Sequence, residues 1–392
     1  MTGAAAAAFT DVRALNAAGA RAWLGSAGGG ALERACAEAG VPFVGGFRLA
    51  AGIGRATGFR GDARRLRELV RELDLHVVHV HRSADQLMAH LALKRGPGIR
   101  LVRTWHRQPA AASRSLLWTM ARSCAAHVCV ALVHAEALDE AGAEVAEYLP
   151  PGVDTEQFRP RDPSPYPLPQ GARENDATPG GPLLLGAREN NGTLRPAAPS
   201  ARAQEAEAGA AGEAPLVLGQ IGRWKERLDR GQRAFLDAIG FLDKSLNWRA
   251  VLLGRGEGRA RLEGLVAAHP AGERLRLEES GAEFPAQVAA LDLGLVFSTG
   301  SDGTSRPAVE MLSCGVPILV ADLPGLRELA DDEDCVLLLP PGQPAAWAAA
   351  CGRLLSDRAR LARMKSAARA QAEKVHALAV RGWSLVEFYG SL

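Results

Sequence analysis

Short apolar runs alternate with longer stretches of helical spacing along most of the chain. In the first half, A-R-A-W-L-G-S, P-F-V-G-G-F, V-V-H-V-H, R-L-V-R-T-W-H and A-H-V-C-V-A-L predict strands, with helices over Gly61–Asp74 and Ser83–Lys94. In the second half, L-V-L-G-Q-I-G, R-A-V-L-L-G, L-R-L-E-E-S, L-G-L-V-F-S and P-I-L-V-A repeat the pattern. Strands that alternate with helices predict parallel sheets in an α/β protein. The expectation is two doubly wound, Rossmann-like domains facing each other across a cleft. Ligands of such sheets bind beyond the carboxyl ends of the strands.

Between the halves the pattern fails. From Arg161 to Ala214 the chain is rich in Pro, Gly, Ala and Glu, with few large apolar residues beyond Leu183–Leu185. The pentapeptide Gly-Ala-Arg-Glu-Asn occurs there twice, at 171–175 and at 186–190, which reads as slippage in the coding sequence. Such a segment cannot bury enough surface to offset its ordering entropy. Residues 161–214 are therefore read as a disordered, low-complexity linker. The boundaries that follow are 1–160 for a first domain, 215–375 for a second, and 376–392 for a C-terminal helix packing back on the first.

Composition narrows the class. The 392 residues suit two domains of roughly 150 residues each plus connections. A net charge of +2 gives no electrostatic reason to expect nucleic acid as a partner. No 18-residue apolar run is present to span a membrane, and the alanine-rich start has no basic segment to mark a signal peptide. Cys36, Cys124, Cys129, Cys314, Cys335 and Cys351 form no CxxC pair, so reduced core thiols in a cytosolic protein are expected, with no metal site. The sequon Asn191-Gly-Thr193 is read as accidental in such a compartment. Charge is uneven, however. Through Arg122 there are 18 Lys plus Arg against 8 Asp plus Glu, with Arg55, Arg60, Arg64, Arg65, Arg67 and Arg71 close together. This is either a basic face for an anionic lipid-linked acceptor or membrane surface, or a solvated helix with pairs such as Arg64–Glu68 and Arg65–Glu68.

The chemistry concentrates between Gly300 and Glu328. Asp302 and Glu310 stand eight residues apart across a turn, Gly303-Thr304-Ser305, that should open a helix. Thr304 or Ser305 can cap it, Pro307 suits its first turn, and Gly315 ends it before the strand Pro-Ile-Leu-Val-Ala. A helix N-terminus attracts anions through its free N–H groups and its dipole. Two acids beside it can hold sugar and ribose hydroxyls while the amides hold phosphate, as a nucleotide-sugar site requires; an ordinary capped βα unit is the plainer reading. Upstream, I-G-R-W-K-E-R-L-D-R-G-Q follows a strand with a run of basic residues suited to a diphosphate. The turn V-L-L-G-R-G-E-G-R, with Gly254, Gly256 and Gly258, is by itself a weak signal, because any tight βα turn favours glycine.

The Gly300–Glu328 segment resembles the donor signature of retaining glycosyltransferases of family 4, which have the GT-B fold. That signature is an acid, seven residues, a Glu on a helix, then a small-residue-Gly-x-Pro strand start, followed here by L-P-G-L-R-E. Asp302 stands where the family usually has Glu. The likeness extends over Arg21–Pro160 and Leu216–Tyr389. It implies that Glu310 binds the ribose hydroxyls, that Asp302 binds the hexose, and that Gly303, Thr304 and Ser305 lie at the donor. Arg223 matches the family's Gly-Arg, and Arg230-Gly231 its Lys-Gly pair, with Lys225 or Arg227 as substitutes. These cations would stabilise the leaving diphosphate. Gly256 falls in the turn that approaches the nucleotide. His106, at the end of R-T-W-H, matches a histidine facing the donor sugar, and strand alternation puts His79 and His81 on one face. In Y-L-P-P-G-V-D-T-E-Q-F-R-P, Val153, Asp154 and Phe158 match residues that fix the crossover between domains.

The resemblance implies a metal-independent retaining glycosyltransferase without a cofactor. It would move a hexose from a nucleotide-diphospho-sugar to a cell-envelope glycan or lipid-linked acceptor of the lipopolysaccharide-core type. The expected location is cytoplasmic and peripheral on the inner face of the membrane. A GT-B nucleotide-sugar epimerase and a catalytically impaired nucleotide-binding scaffold are the alternatives. Family members open with an apolar strand and a Gly-Gly turn. Here Ala4–Phe9 leads straight into D-V-R-A-L-N-A-A-G, so a start downstream of the natural one and an unpaired edge or gap in the first sheet are expected.

The linker reading yields a direct test. Excising Pro163–Gly212 should shift the melting temperature by no more than a few degrees, because loop closure depends weakly on length. A large loss in calorimetry would show that the segment is packed.

Overall fold

In the computed structural model, which describes residues 3–48, 56–94, 98–106, 114–161, 214–226, 230–297, 305–330 and 334–392, all strand pairings are parallel. The first half contains two separate sheets. Strands β1 (Leu24–Gly25) and β2 (Phe43–Val44) form one, and β3 (Val77–Val80), β4 (Arg100–Trp105), β5 (Ala126–Cys129) and β6 (Ala146–Tyr148) form the other in sequence order. Helices Gly3–Ala17, Ala31–Glu38, Ala56–Glu72, Ser83–Leu93, Arg114–Ala121 and Leu132–Glu140 alternate with them. The helix expected over Gly61–Asp74 starts five residues earlier and ends before Asp74, which takes the left-handed φ of 51° that stops it. Ser83–Leu93 buries Met88, Ala89, Ala92 and Leu93 against Val80 and Leu101.

The second half is a single six-stranded sheet. It comprises β7 (Leu216–Arg223), β8 (Trp248–Arg255), β9 (Leu275–Glu279), β10 (Leu293–Val296), β11 (Ile318–Ala321) and β12 (Val336–Leu339), in the order β12-β11-β10-β7-β8-β9. Strands β7 to β9 build toward one edge and β10 to β12 toward the other. The order therefore reverses between β7 and β10, and ligands of open parallel sheets bind at such a switch point. The connection leaving β10 leads into helix Arg306–Ser313 and so carries the two-acid motif to that place. Trp224, Trp248, Trp347 and Phe235 are fully buried in this half and anchor its core. Strands β6 and β12 are absent from the sequence expectations. The linker expected at 161–214 lies, apart from its margins, outside the described residues.

The halves are joined first around Val153 and His376. Val153 N–H donates to the His376 carbonyl at 2.7 Å, while the His376 ring pairs with the Pro151 carbonyl at 2.9 Å. Asp154 accepts the N–H groups of Glu156 and Gln157, and Phe158 is buried among core residues of the second half. Beyond His376, helix Leu378–Gly390 lies against helix Gly3–Ala17, and its Leu385 and Phe388 pack with Leu15, Val102, Val128 and Leu149.

Gly382 makes that helix crossing possible. A Cβ there would sit 2.2 Å from the Ala14 carbonyl oxygen, so the two backbones touch. Gly382→Ala should cost about 1–3 kcal/mol through overpacking despite alanine's better helix propensity. An unchanged denaturant midpoint would mean that the two helices separate without loss.

Candidate active site

Helix Arg306–Ser313 carries Glu310 on its second turn. Ser305 occupies the N-cap position, but its side chain makes no capping hydrogen bond. The reason is local. The second helical residue is Pro307, which has no N–H, and the Ala308 N–H donates to the Ser305 carbonyl at 3.0 Å. At the other end Gly315, with φ 68°, and Val316 return their N–H groups to Leu312 and Met311, closing the helix before β11. Glu310 is buried and accepts a hydrogen bond of 2.8 Å from Arg306 Nε, four residues earlier. Burial pushes its carboxyl up from the usual range, opposed by the Arg306 charge. Arg306 Nη1 is buried with no hydrogen-bond partner among the described residues. Asp302, Gly303 and Thr304 lie outside those residues.

The first half presents a chain of imidazoles. His106, just beyond β4, meets His81 through Nε2 and Nδ1 at 3.0 Å, and the two rings stack. His79 stacks on His81 from the same face, as strand alternation requires. Its ring nitrogens pair with the Thr104 hydroxyl at 2.7 Å and the Tyr389 hydroxyl at 2.5 Å. Burial lowers His79 to about 4, and burial plus the neighbouring rings lowers His81 and His106 to about 3 each. All three are neutral at physiological pH. Asp11 lies 4.0 Å from His81 and is bound through two hydrogen bonds, of 2.8 and 3.1 Å, by Arg381. Burial opposes ionisation of Asp11, but the Arg381 charge outweighs it and holds the carboxyl below its ordinary value.

These two groups meet. His106 and Arg306, with Thr10, Asp11, Gly152 and Arg381, line one cavity of about 40 Å³, large enough for a water molecule. Nearby in sequence, Glu328 of L-P-G-L-R-E accepts the Leu132 N–H at 3.0 Å, at the N-terminus of helix Leu132–Glu140. Its second oxygen is buried without a partner among the described residues. Arg306, Asp11, Arg381 and Glu328 were not singled out from sequence. Arg306 left a signal in its i,i+4 spacing to Glu310, and Glu328 in its place at the end of L-P-G-L-R-E; Asp11 and Arg381 left none.

The remaining expected residues are placed as follows. Arg223 ends β7 with its side chain 69% exposed, 4.0 Å from Glu257. Lys225 is exposed, Arg230 is the first residue of helix Arg230–Gly240, and Arg227 lies outside the described residues. Gly256 has φ 148°, and a Cβ on it would lie 2.0 Å from the Trp224 carbonyl oxygen. Gly254 and Gly258 similarly face the Gly222 and Lys225 carbonyls at 1.9 and 2.1 Å from a notional Cβ. The glycine turn thus has a packing reason: it lets the turns after β7 and β8 lie backbone to backbone. On helix Ala56–Glu72, Arg64 and Arg65 pair loosely with Glu68 at 3.8 Å, and Arg65 also reaches Glu72 at 3.5 Å. Arg60 and Arg67 are exposed, with no ion-pair partner among the described residues.

Comparison with known proteins places this geometry in context. Residues 2–157 match the family described as Glycosyltransferase Family 4, and residues 215–357 match Glycosyl transferases group 1. A D-inositol 3-phosphate glycosyltransferase of Xylanimonas cellulosilytica is 30% identical over 177 residues, covering 41% of this chain and 39% of that protein. The chain thus spans about two fifths of the length of that curated relative. Among solved structures, HepE of Anabaena in complex with UDP aligns with a TM-score of 0.74 at 18% identity, over 100% of this chain and 97% of that one. A glycosyltransferase from Rickettsia africae ESF-5 aligns with a TM-score of 0.74 at 13% identity, over 99% and 94%. At such identities the structural likeness establishes the shared fold.

The buried imidazoles set the pH dependence of stability. Below the ordinary histidine value of 6.5 the unfolded chain binds protons, while the folded chain leaves His79, His81 and His106 neutral until about pH 4 or lower. Stability present above pH 6.5 should therefore fall progressively toward pH 4. Denaturant titrations across that window should show the loss, with a shallower slope in His81→Gln. A flat profile would mean that these rings are protonated in the folded protein.

Proposed function

Because the chain belongs to the family 4 glycosyltransferases and has their GT-B fold, we propose that it is a retaining enzyme that moves a hexose from a nucleotide-diphospho-sugar to an envelope glycan. The observation that carries this reading is the Arg306–Glu310 pair on the helix after the switch point, whose Arg306 lines a cavity together with His106. A buried carboxylate at that position can accept two ribose hydroxyls. The helix N-terminus attracts phosphate, and the unpartnered Arg306 Nη1 adds a charged donor beside it. Arg223 and Arg230 then stabilise charge developing on the leaving diphosphate, a contribution that requires no metal. Asp302 holds the hexose hydroxyls. His106 is neutral, so it offers the sugar a hydrogen bond without adding a charge, with His81 orienting the ring.

The donor base is read from a neighbour: HepE was crystallised with UDP, which makes UDP-sugars the first choice. The acceptor is a lipid-linked or glycan substrate bearing phosphate, of the lipopolysaccharide-core type. Two features support this. Arg60, Arg64 and Arg67 are exposed on one helix, and Leu87 and Leu91 are exposed on the helix packed against it. Cations beside apolar side chains suit peripheral contact with an anionic membrane. Among the described residues no helix is long and apolar enough to cross one. A phosphorylated polyol is the second acceptor to assay, since the curated relative is named for D-inositol 3-phosphate.

Transfer and donor-hydrolysis assays over a panel of nucleotide sugars test the reading. Glu310→Gln should weaken UDP binding by about 1.5–3 kcal/mol, the value of a charge-assisted hydrogen bond. Asp302→Asn should lower turnover more than it lowers UDP affinity. Unaltered UDP affinity of Glu310→Gln in calorimetry would remove that residue from the site, and conversion of the donor sugar without acceptor would favour an epimerase.

A further inference from the structure

The polar chain behind His106 has a direction. Asp11 is ionised: burial opposes its charge, and the Arg381 guanidinium, bound to its two oxygens at 2.8 and 3.1 Å, more than offsets that. The oxygen with the longer bond, Oδ2, also lies 4.0 Å from His81 Nε2. Burial and the His79 ring keep His81 neutral, lowering it to about 3. A neutral imidazole carries one proton, on one nitrogen or the other. An anionic oxygen facing Nε2 favours the proton there, because the alternative turns a lone pair toward a negative charge. His81 Nδ1 is then bare.

That nitrogen meets His106 Nε2 at 3.0 Å, and a bare nitrogen can only accept. His106, itself neutral, therefore donates from Nε2 and keeps a lone pair on Nδ1. Among the described residues that Nδ1 has no hydrogen-bond partner. The opposite tautomer of His81 would reverse the chain and place the proton on His106 Nδ1.

His106 lines the cavity of about 40 Å³ together with Arg306 of the other half. Among the described residues the Arg306 guanidinium hydrogen-bonds through Nε alone, to Glu310, so its other donors are left over. An acceptor nitrogen and a guanidinium thus border a space with room for one oxygen. A hydroxyl suits both, since it gives one proton and accepts others. A carboxylate has no proton for Nδ1, and an ammonium has no lone pair for Arg306.

We propose that Asp11, acting through His81, fixes His106 as a hydrogen-bond acceptor, and that the cavity between His106 and Arg306 takes one hydroxyl of the transferred hexose. The hexose rests on the glycosyltransferase function proposed above, whereas the tautomers do not. Asp11 and His81 are positioning residues, because neither touches the sugar. The consequence is selectivity: one sugar position must carry a hydroxyl, and sugars with hydrogen or carboxylate there are rejected.

The tautomers are read from long-range proton–nitrogen spectra of the full chain with isotopically labelled histidine, assigned through His81→Gln and His106→Gln. Both rings should carry their proton on Nε2. Asp11→Asn should move the His106 proton toward Nδ1. His81→Leu, which leaves the Asp11–Arg381 pair whole, should also release it and gives a second reading should the Asn variant unfold. The sugar is probed by hydrolysis of UDP-glucose and its 2-, 3-, 4- and 6-deoxy analogues. At one position the deoxy analogue should lose at least about tenfold in kcat/KM, shrinking to about threefold or less in His81→Leu, while the other positions keep their penalties. A merely structural defect would slow every sugar alike. Failure of UDP-glucose to react would overturn the functional reading, with the tautomers still decided by the spectra. A wild-type His106 protonated on Nδ1, tautomers that ignore both substitutions, or an unchanged deoxy penalty in His81→Leu would each overturn the proposal.

Discussion

The carboxylate of Asp11 and the guanidinium of Arg381 are both almost wholly buried and bind each other through two hydrogen bonds. Removing two charges from water is costly, and the geometry offsets that cost by using the whole guanidinium fork. Arg381 also donates to the carbonyls of Leu149 and Pro150, each at 3.1 Å, so the pair satisfies the end of the first domain. Four parts of the structure converge there: helix Gly3–Ala17, the segment leaving β6, helix Leu378–Gly390 and, through His81, the imidazole chain. Breaking such a pair from one side typically costs about 3–5 kcal/mol, because the remaining charge is stranded in an apolar interior. The position of His106 depends on this contact although it touches neither residue through a hydrogen bond.

The electrostatic character of the two walls differs for the same reason of burial. On one side the imidazoles are kept neutral by desolvation. On the other, the Arg306 guanidinium lies against a carboxylate whose ionisation burial disfavours. Fixed positive charge thus sits where a diphosphate is proposed to bind, and uncharged hydrogen-bonding groups sit where a sugar would lie. Burial and the neighbouring His81 ring keep His106 uncharged at neutral pH.

Much of this was legible in the chain because it is local. The strand runs, the helix from Arg306, the stop at Gly315 and the shared face of His79 and His81 all follow from spacings of a few residues. Strands β6 and β12 are harder to read, since A-E-Y is too short to show a period and V-L-L-L, although Pro340-Pro341-Gly342 follows it, is a four-residue run with no alternation. The Asp11–Arg381 pair was illegible for a different reason: its partners are 370 residues apart, and nothing near either reports the other. Glu328 is similar, with its bond to Leu132 spanning 196 residues. Gly256 was legible as a special glycine, but its reason lies in Trp224, on a turn more than thirty residues earlier that packs against it. Close approach of backbones leaves a glycine in the sequence without naming what approaches.

The packing of helix Leu378–Gly390 against the first domain bears on the order in which this protein can be finished. Arg381 completes a cluster whose other members, Leu149 and Pro150, leave the ribosome 232 and 231 residues sooner. At roughly 5–20 residues per second of synthesis, that interval is on the order of 10–50 s. During it Asp11 has no countercharge, and the surface of Leu15, Val102 and Val128 that later receives Leu385 and Phe388 is open to water. The domain made first is therefore the one sealed last, when Leu385 and Phe388 cover that surface.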